Sequence, residues 1–83
     1  MDMRQQVKRF VIDNFYLDAS EVADDTLLVT GGLVDSTGVL EVVAFLETEF
    51  NMRIADDETT PENLDSVERI VAFVARKTGR SAA

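Results

Sequence analysis

The sequence predicts an all-α protein: a small bundle of three main helices and one short helix, with a long first loop. Apolar residues recur at helical spacing in three segments, and no segment shows the alternation that is typical of a strand. Residues that commonly cap helices precede these segments, and a glycine follows the last one. Because 83 residues support only one small hydrophobic core, we expect a single domain over residues 1–83.

The composition excludes several kinds of chemistry. The chain has no cysteine and no histidine, so it cannot form disulfides, Cys/His zinc sites or a Ser–His catalytic pair. We therefore expect no catalytic residue, no bound metal and no enzymatic activity. No apolar run approaches the ~20 residues that cross a bilayer, and the N-terminus lacks an apolar signal segment. These features predict a cytoplasmic protein that does not enter membranes.

The acidic residues are concentrated in the middle of the chain. The net charge is −8, and between Asp13 and Asp65 fourteen acidic residues stand against one basic residue, Arg53. Such a surface repels nucleic acid and attracts basic protein patches, so we expect basic protein partners and no nucleic acid. The alternative is that the charge serves solubility alone.

The first predicted helix runs from Met3 to about Phe15, with its basic residues in solvent. Residues 16–35 lack periodicity and predict a long loop, in which Ser20 caps a short turn. We expect five apolar side chains of the loop to pack into the core and hold the loop there: Leu17, Val22, Leu27, Leu28 and Leu33. A loop of this length in a compact domain indicates a function.

The segment from Gly31 to Phe50 organises the chain. Asp35 and Ser36 are residue types that bind the free N–H groups of a helix start, so we expect a helix from about Ser36 to Phe50 or Asn51. Its core stripe consists of Val39, Val42, Val43, Leu46 and Phe50. A second, outward face carries Leu40 and Ala44, edged by Thr37, Glu41, Glu47 and Thr48. That face predicts contact with a partner; the alternative is that Leu40 and Ala44 complete a wide buried face.

The sequence after residue 50 predicts a connection and two helices. Asp56 to Glu58 lacks the spacing of a calcium loop, so we expect solvated charges there. Thr60 should cap a short helix that begins at Pro61. Two new capping residues, Asp65 and Ser66, then precede the last helix, and Asp65 has the spacing of a capping pair with Glu68. The last helix should end before Gly79 and bury Val67, Ile70, Val71 and Val74. We expect residues 80–83 to be frayed.

The Asp35-Ser36 pair follows a Gly-Leu step and precedes a helix that reads VLEVVAFLETEF. This segment resembles the attachment site of the acyl carrier proteins and the related peptidyl carrier domains, and the resemblance covers nearly the whole chain. It implies that Ser36 carries 4′-phosphopantetheine, transferred from coenzyme A by a phosphopantetheinyl transferase. The thiol of that group would hold cargo as a thioester. We therefore predict a free-standing, monomeric acyl carrier protein.

The resemblance also implies the partners. These are an acyl- or aminoacyl-loading ligase and downstream biosynthetic enzymes with basic docking patches. The implied partner contacts are Asp35, Thr37, Leu40, Glu41, Ala44 and Glu47, and an acyl chain would lie among Leu46, Ile54 and Leu64. Carriers of fatty acid synthesis usually have a leucine and a polar or acidic residue where this chain has Thr37 and Gly38, and an acid is common at Thr48. These differences indicate a specialised pathway rather than bulk fatty acid synthesis.

Two alternatives remain open at this point. The first is an aminoacyl or peptidyl carrier protein that is loaded by an adenylating ligase. The second is an unmodified acidic helical adaptor that binds a basic partner. A serine at a helix start is, taken alone, far more often a cap than a modified residue. In the adaptor hypothesis, Ser36 is only that cap.

Overall fold

Four α-helices form the protein in a computed structural model, which describes residues 2–80. They are α1 (Met3–Asn14), α2 (Ser36–Glu49), α3 (Pro61–Leu64) and α4 (Val67–Thr78). Two 3₁₀ turns, Ala19–Glu21 and Asp56–Glu58, lie in the connections. The predicted helical bundle with a long first loop is therefore confirmed. The predicted fraying concerns mainly Ser81–Ala83, which lie outside the described residues.

Helices α1 and α2 run antiparallel. Three side-chain pairs join them, in the order Gln6 with Glu49, Phe10 with Phe45, and Asn14 with Glu41. The rings of Phe10 and Phe45 stack with their centroids 4.1 Å apart. Because the residue numbers rise along one helix as they fall along the other, the end of α1 lies beside the first turns of α2.

The core is formed by the faces that the sequence pattern predicts. Helix α4 packs against both α1 and α3. The fully buried side chains include Val7, Val11, Leu28, Leu46, Val67, Ile70, Val71 and Val74. Val39 and Val43 are only half-buried and lie at the edge of the α2 stripe. Phe73, which was not among the predicted core residues, is 2% exposed.

Two predictions for the first loop are wrong. Leu27 is exposed and does not anchor the loop. The cap of the short turn is Asp18, whose Oδ1 accepts the Ser20 N–H at 3.1 Å, while Glu21 accepts the Asp18 N–H at 2.8 Å. This reciprocal pair satisfies two N–H groups at once, so the turn begins at Asp18 rather than at Ser20.

The predicted capping of the last two helices is confirmed only for Ser66. Helix α4 is capped by Ser66, whose Oγ accepts the Arg69 N–H at 3.1 Å. The proposed pair of Asp65 and Glu68 does not form, because the Asp65 carboxylate binds the first loop instead. Thr60 precedes α3 as predicted, but its side chain makes no capping hydrogen bond. Gly79 follows α4 with a φ of 73°, the left-handed conformation that glycine adopts without steric cost.

Several charged side chains that we expected in solvent form ion pairs. Arg4 and Lys8 of α1 contact the Asp24 carboxylate at 2.9 and 3.3 Å and thereby hold the first loop. Glu58 accepts hydrogen bonds from the Ala55 N–H and from Lys77 of α4. These two contacts lower the pKa of Glu58 below its ordinary value. The acidic 3₁₀ turn Asp56–Glu58 is therefore joined to α4 by an ion pair.

Gly38 is buried in the first turn of α2, and packing requires a glycine there. A Cβ at this position would lie 2.7 Å from Val34 Cγ1 and 2.8 Å from Phe15 Cε1. We predict that Gly38→Ala lowers the free energy of unfolding by about 1–3 kcal/mol, because overpacking outweighs the better helix propensity of alanine. Urea unfolding gives the value. The loss should be smaller in a Phe15→Leu background, and an equal loss in both would contradict this explanation.

Candidate functional site

The site lies at the start of α2, where Asp35 caps the helix. Asp35 has extended backbone angles, and its Oδ1 accepts the Gly38 N–H at 2.8 Å. Its carbonyl oxygen accepts the Val39 N–H at 3.0 Å. One residue therefore provides both the side-chain cap and the first carbonyl of the helix.

Ser36 is the first residue of α2 and is exposed. Within residues 2–80, its hydroxyl has no hydrogen-bond partner, and neither do the N–H groups of Ser36 and Thr37. The expectation that Ser36 shares the capping is not met, because Asp35 does this alone. The hydroxyl is accessible from solvent and is not used by the fold.

The segment before the site is held by a backbone turn. The N–H groups of Leu33 and Val34 both donate to the Leu28 carbonyl oxygen, at 2.9 and 2.8 Å. Leu28 and Val34 are also buried, so hydrogen bonds and packing fix the same turn. The position of Asp35 and Ser36 follows from this turn, since they are the next residues in the chain.

Asp65 holds this loop from the other side. Its carboxylate accepts hydrogen bonds from the Val29 N–H at 2.7 Å, the Thr30 N–H at 3.0 Å and the Thr30 hydroxyl at 2.6 Å. Its backbone carbonyl accepts the Leu28 N–H at 2.7 Å. The Asp65 side chain is only 2% exposed, with Arg69 at 3.9 Å. Asp65 thus ties the loop before Ser36 to the junction of α3 and α4.

These contacts determine the charge state of Asp65. Burial alone would raise the pKa of its carboxyl group, since it disfavours the charged form. The hydrogen bonds from Thr30 and Val29, together with Arg69, reverse that effect and place the pKa below its ordinary value. The carboxylate is therefore ionised in the folded protein at neutral pH.

The exposed side of α2 carries the predicted partner residues. At 100° per residue, Ser36, Leu40, Ala44 and Glu47 fall along one side of the helix, flanked by Thr37 and Glu41. Leu40 is 67% exposed. Two of the acidic side chains already make hydrogen bonds within the protein. Glu41 accepts a hydrogen bond from Asn14, and Glu47 accepts the Ile54 N–H at 2.9 Å. The face is thus an open apolar strip with acidic neighbours.

A small cleft lies between α2 and α3, and it differs from the predicted acyl pocket. Its volume is about 50 Å³. It is lined by Val29, Val39, Thr59, Thr60, Pro61 and Leu64. Of the three predicted pocket residues, only Leu64 lines it. Leu46 is completely buried on the core side of α2, and Ile54 is partly buried against the core without lining this cleft.

Other kinds of site are not found in the part of the chain that the structure describes. Over residues 2–80, no group of three or more acidic residues is placed to hold a metal ion. In the same range, no helix has both the length and the apolar character needed to span a membrane.

Comparison with known proteins gives relatives that match along almost their whole length. The chain is 32% identical to an acyl carrier protein of Helicobacter hepaticus over 74 residues, which are 89% of this chain and 95% of the relative. It is 28% identical to an acyl carrier protein of Solidesulfovibrio magneticus, over 95% of this chain and 99% of the relative. It is 30% identical to a D-alanyl carrier protein of Streptococcus suis, over 89% and 92%. No protein-family model matches the chain.

The helical fold, the exposed serine at the start of α2 and these relatives define a carrier protein, a class that is not catalytic. The chain belongs to the acyl carrier protein family. Ser36 is accessible, as its predicted role requires, whereas the sequence pattern does not predict the contacts of Asp65 with the first loop. The position of Asp65 beside Ser66, a second capping residue type, was the only available signal that it had another role.

Removing the Asp35 side chain should destabilise the protein more than removing the Ser36 hydroxyl. We expect Asp35→Ala to lower the free energy of unfolding by about 0.5–2 kcal/mol, because the Gly38 N–H loses its acceptor. Ser36→Ala should stay within about 0.5 kcal/mol of wild type, as is usual for a surface substitution. Urea unfolding of both variants measures this difference. A larger loss for Ser36→Ala would show that the serine is the cap.

The Asp65 contacts should give a pH-dependent contribution to stability. The folded pKa lies below the ordinary value of 3.8, so the unfolded chain binds the proton first as the pH falls. The contribution of Asp65 to the free energy of unfolding is therefore complete above the ordinary pKa and is lost as the pH falls through the pKa of the folded protein. At pH 7, Asp65→Asn should lower the free energy of unfolding by about 1–3 kcal/mol.

The difference between wild type and Asp65→Asn should shrink below pH 3.8, measured by urea unfolding from pH 7 to pH 2. Asp25→Asn is the matched control, because Asp25 is exposed and makes no hydrogen bond with its side chain within residues 2–80. A difference that is constant over the whole pH range would mean that the Asp65 charge does not hold the loop.

Proposed function

We propose that Ser36 is the attachment site of 4′-phosphopantetheine and that the chain shuttles thioester-bound acyl groups between biosynthetic enzymes. The observation that carries this proposal is the division of roles at the start of α2. Asp35 satisfies the helix N-terminus, and the hydroxyl of its neighbour Ser36 is left exposed and without a partner. Membership of the acyl carrier protein family supports the same assignment.

The residues at this position fit the group. The free N–H groups of Ser36 and Thr37 lie at the positive end of the 14-residue helix α2, which favours a phosphodiester anion on the adjacent oxygen. When bound, the group supplies a thiol for a thioester, and this chain has no cysteine of its own. The chain also lacks histidine, so the base that activates the Ser36 hydroxyl must come from the transferase.

The exposed side of α2 fits the docking of basic partner enzymes. Leu40 and Ala44 offer apolar contact next to the attachment site, and Asp35 and Glu41 are exposed acids that attract basic groups. Glu47 is the weakest of the proposed contacts, because its carboxylate already binds the Ile54 N–H. The proposed partners are a phosphopantetheinyl transferase, a loading ligase and the enzymes that use the cargo.

The proposal of a specialised pathway depends on two exposed residues. Carriers of fatty acid synthesis usually have a polar or acidic residue where this chain has Gly38. Because Gly38 is buried against Phe15, we attribute this difference to packing inside the protein rather than to docking of a partner. Thr37 and Thr48, by contrast, are exposed on α2. They change the surface that partners meet, and they support a partner set different from that of bulk fatty acid synthesis.

The attachment is tested by incubating the purified protein with coenzyme A, Mg²⁺ and a phosphopantetheinyl transferase of broad specificity. We expect the intact mass to rise by one phosphopantetheine, carried by the peptide that contains Ser36. Ser36→Ala should remain folded and unmodified, since its loss of stability is small. Wild-type protein that stays unmodified while a known carrier in the same mixture is loaded would reject the proposal.

An aminoacyl cargo is the second candidate, and the D-alanyl carrier protein among the relatives favours it. The small cleft beside α3 is consistent with it, because about 50 Å³ holds only a few carbon atoms. The two cargoes are separated by the mass of the group that hydroxylamine releases from protein isolated from its host. An amino acid hydroxamate would support the second candidate, and a fatty acyl hydroxamate the first.

A further inference from the structure

Tyr16 combines an unfavourable backbone conformation with a fully exposed aromatic ring. Its φ is 55°, in the left-handed region that residues with a Cβ rarely adopt. Its side chain is 95% exposed, and within residues 2–80 the hydroxyl has no hydrogen-bond partner. The ring therefore gives no packing that would offset the strain, and a glycine would serve the fold better.

The turn that contains Tyr16 lies beside the start of α2. The ring of the preceding residue, Phe15, packs against Gly38 in the first turn of that helix. Asn14 donates a hydrogen bond to Glu41 at 3.0 Å, at the edge of the exposed face. Tyr16 is one residue farther along, about 3.8 Å from Phe15 between Cα atoms. It is therefore close to the Thr37 and Glu41 side of the attachment site.

The position of Tyr16 lies within the area that a partner enzyme would cover. A typical interface buries about 800 Å² on each partner, which corresponds to a patch of about 16 Å radius. An enzyme centred on Ser36 would thus reach both Leu40 and Tyr16. These two residues are the most exposed large hydrophobic side chains in the described part of the chain. Tyrosine is also one of the residue types that contribute most to binding at interfaces.

The charges around Tyr16 indicate the chemistry of the partner. Asp18, Asp35 and Glu41 are exposed and lie near the same end of α1 and α2, and the chain as a whole carries −8. The complementary surface is an apolar pocket surrounded by basic residues.

We infer that Tyr16 is an anchor for the basic enzyme that modifies Ser36, inserted into an apolar pocket of that enzyme next to its active site. This inference rests on the proposed function of Ser36. It adds a contact from the end of α1 to a docking face otherwise formed by α2.

The test is Tyr16→Gly, which separates binding from stability. Because glycine adopts a positive φ without steric cost, the variant should melt at a temperature no lower than that of wild type. Its kcat/KM as substrate of the phosphopantetheinyl transferase should fall about five- to thirtyfold, the effect of losing one interface anchor. Tyr16→Asn should behave in the same way, since asparagine tolerates the left-handed conformation.

Asn51→Gly is the matched control. Asn51 is also exposed and has a φ of 51°, but it follows the opposite end of α2. The phosphopantetheinyl transferase should modify the Asn51→Gly variant at the wild-type rate. A Tyr16→Gly variant that is modified as fast as wild type would overturn the inference and leave the proposed function intact. Failure of wild type to be modified would reject both.

A second copy of this chain is the other possible occupant of the Tyr16 surface. Sedimentation of wild type and Tyr16→Gly distinguishes the two cases. We expect both to sediment as monomers at the concentrations used for modification. A wild-type dimer that dissociates in Tyr16→Gly would assign the ring to self-association and overturn the inference.

Discussion

The buried carboxylate of Asp65 is the interaction on which the position of the site depends. It accepts three hydrogen bonds from Val29 and Thr30, and its own carbonyl accepts the Leu28 N–H. Leu28 in turn accepts the N–H groups of Leu33 and Val34, immediately before Asp35. A long connection with little regular structure is thereby fixed to the junction of α3 and α4. Since a buried charge is stable only when it is well paired, this contact has little freedom to rearrange.

At the start of α2, the helix cap and the proposed attachment residue are two different side chains. A helix N-terminus needs acceptors for its N–H groups, and serine is a common choice. Here Asp35 provides the acceptor, and within residues 2–80 the Ser36 hydroxyl makes no hydrogen bond. This hydroxyl can therefore be modified without disturbing the cap. The neighbouring turn of α1 adds a second feature of this kind, because Tyr16 is exposed in a strained conformation that the fold does not require.

The sequence was sufficient to predict the helices and the position of Ser36 at the start of α2, because both depend on local patterns. The periodic apolar residues of α2 and α4, Pro61 at the start of α3 and Gly79 after α4 all act through their immediate neighbours. Some errors were local, such as the choice of Ser20 rather than Asp18 as the cap of the short turn. Others arose where a side chain binds residues that are distant in the sequence. Asp65 has the residue type and spacing of a cap, yet its partners Val29 and Thr30 are more than thirty residues away. Glu58 pairs with Lys77 for the same reason.

The central claim is that the oxygen of Ser36 becomes part of a phosphodiester while the polypeptide keeps its fold. The most direct measurement is peptide mass spectrometry of the protein isolated from its own host. We expect phosphopantetheine on the peptide that contains Ser36, with the other serines unmodified. Native protein in which Ser36 is entirely unmodified, although the cells actively use their carrier proteins, would contradict it.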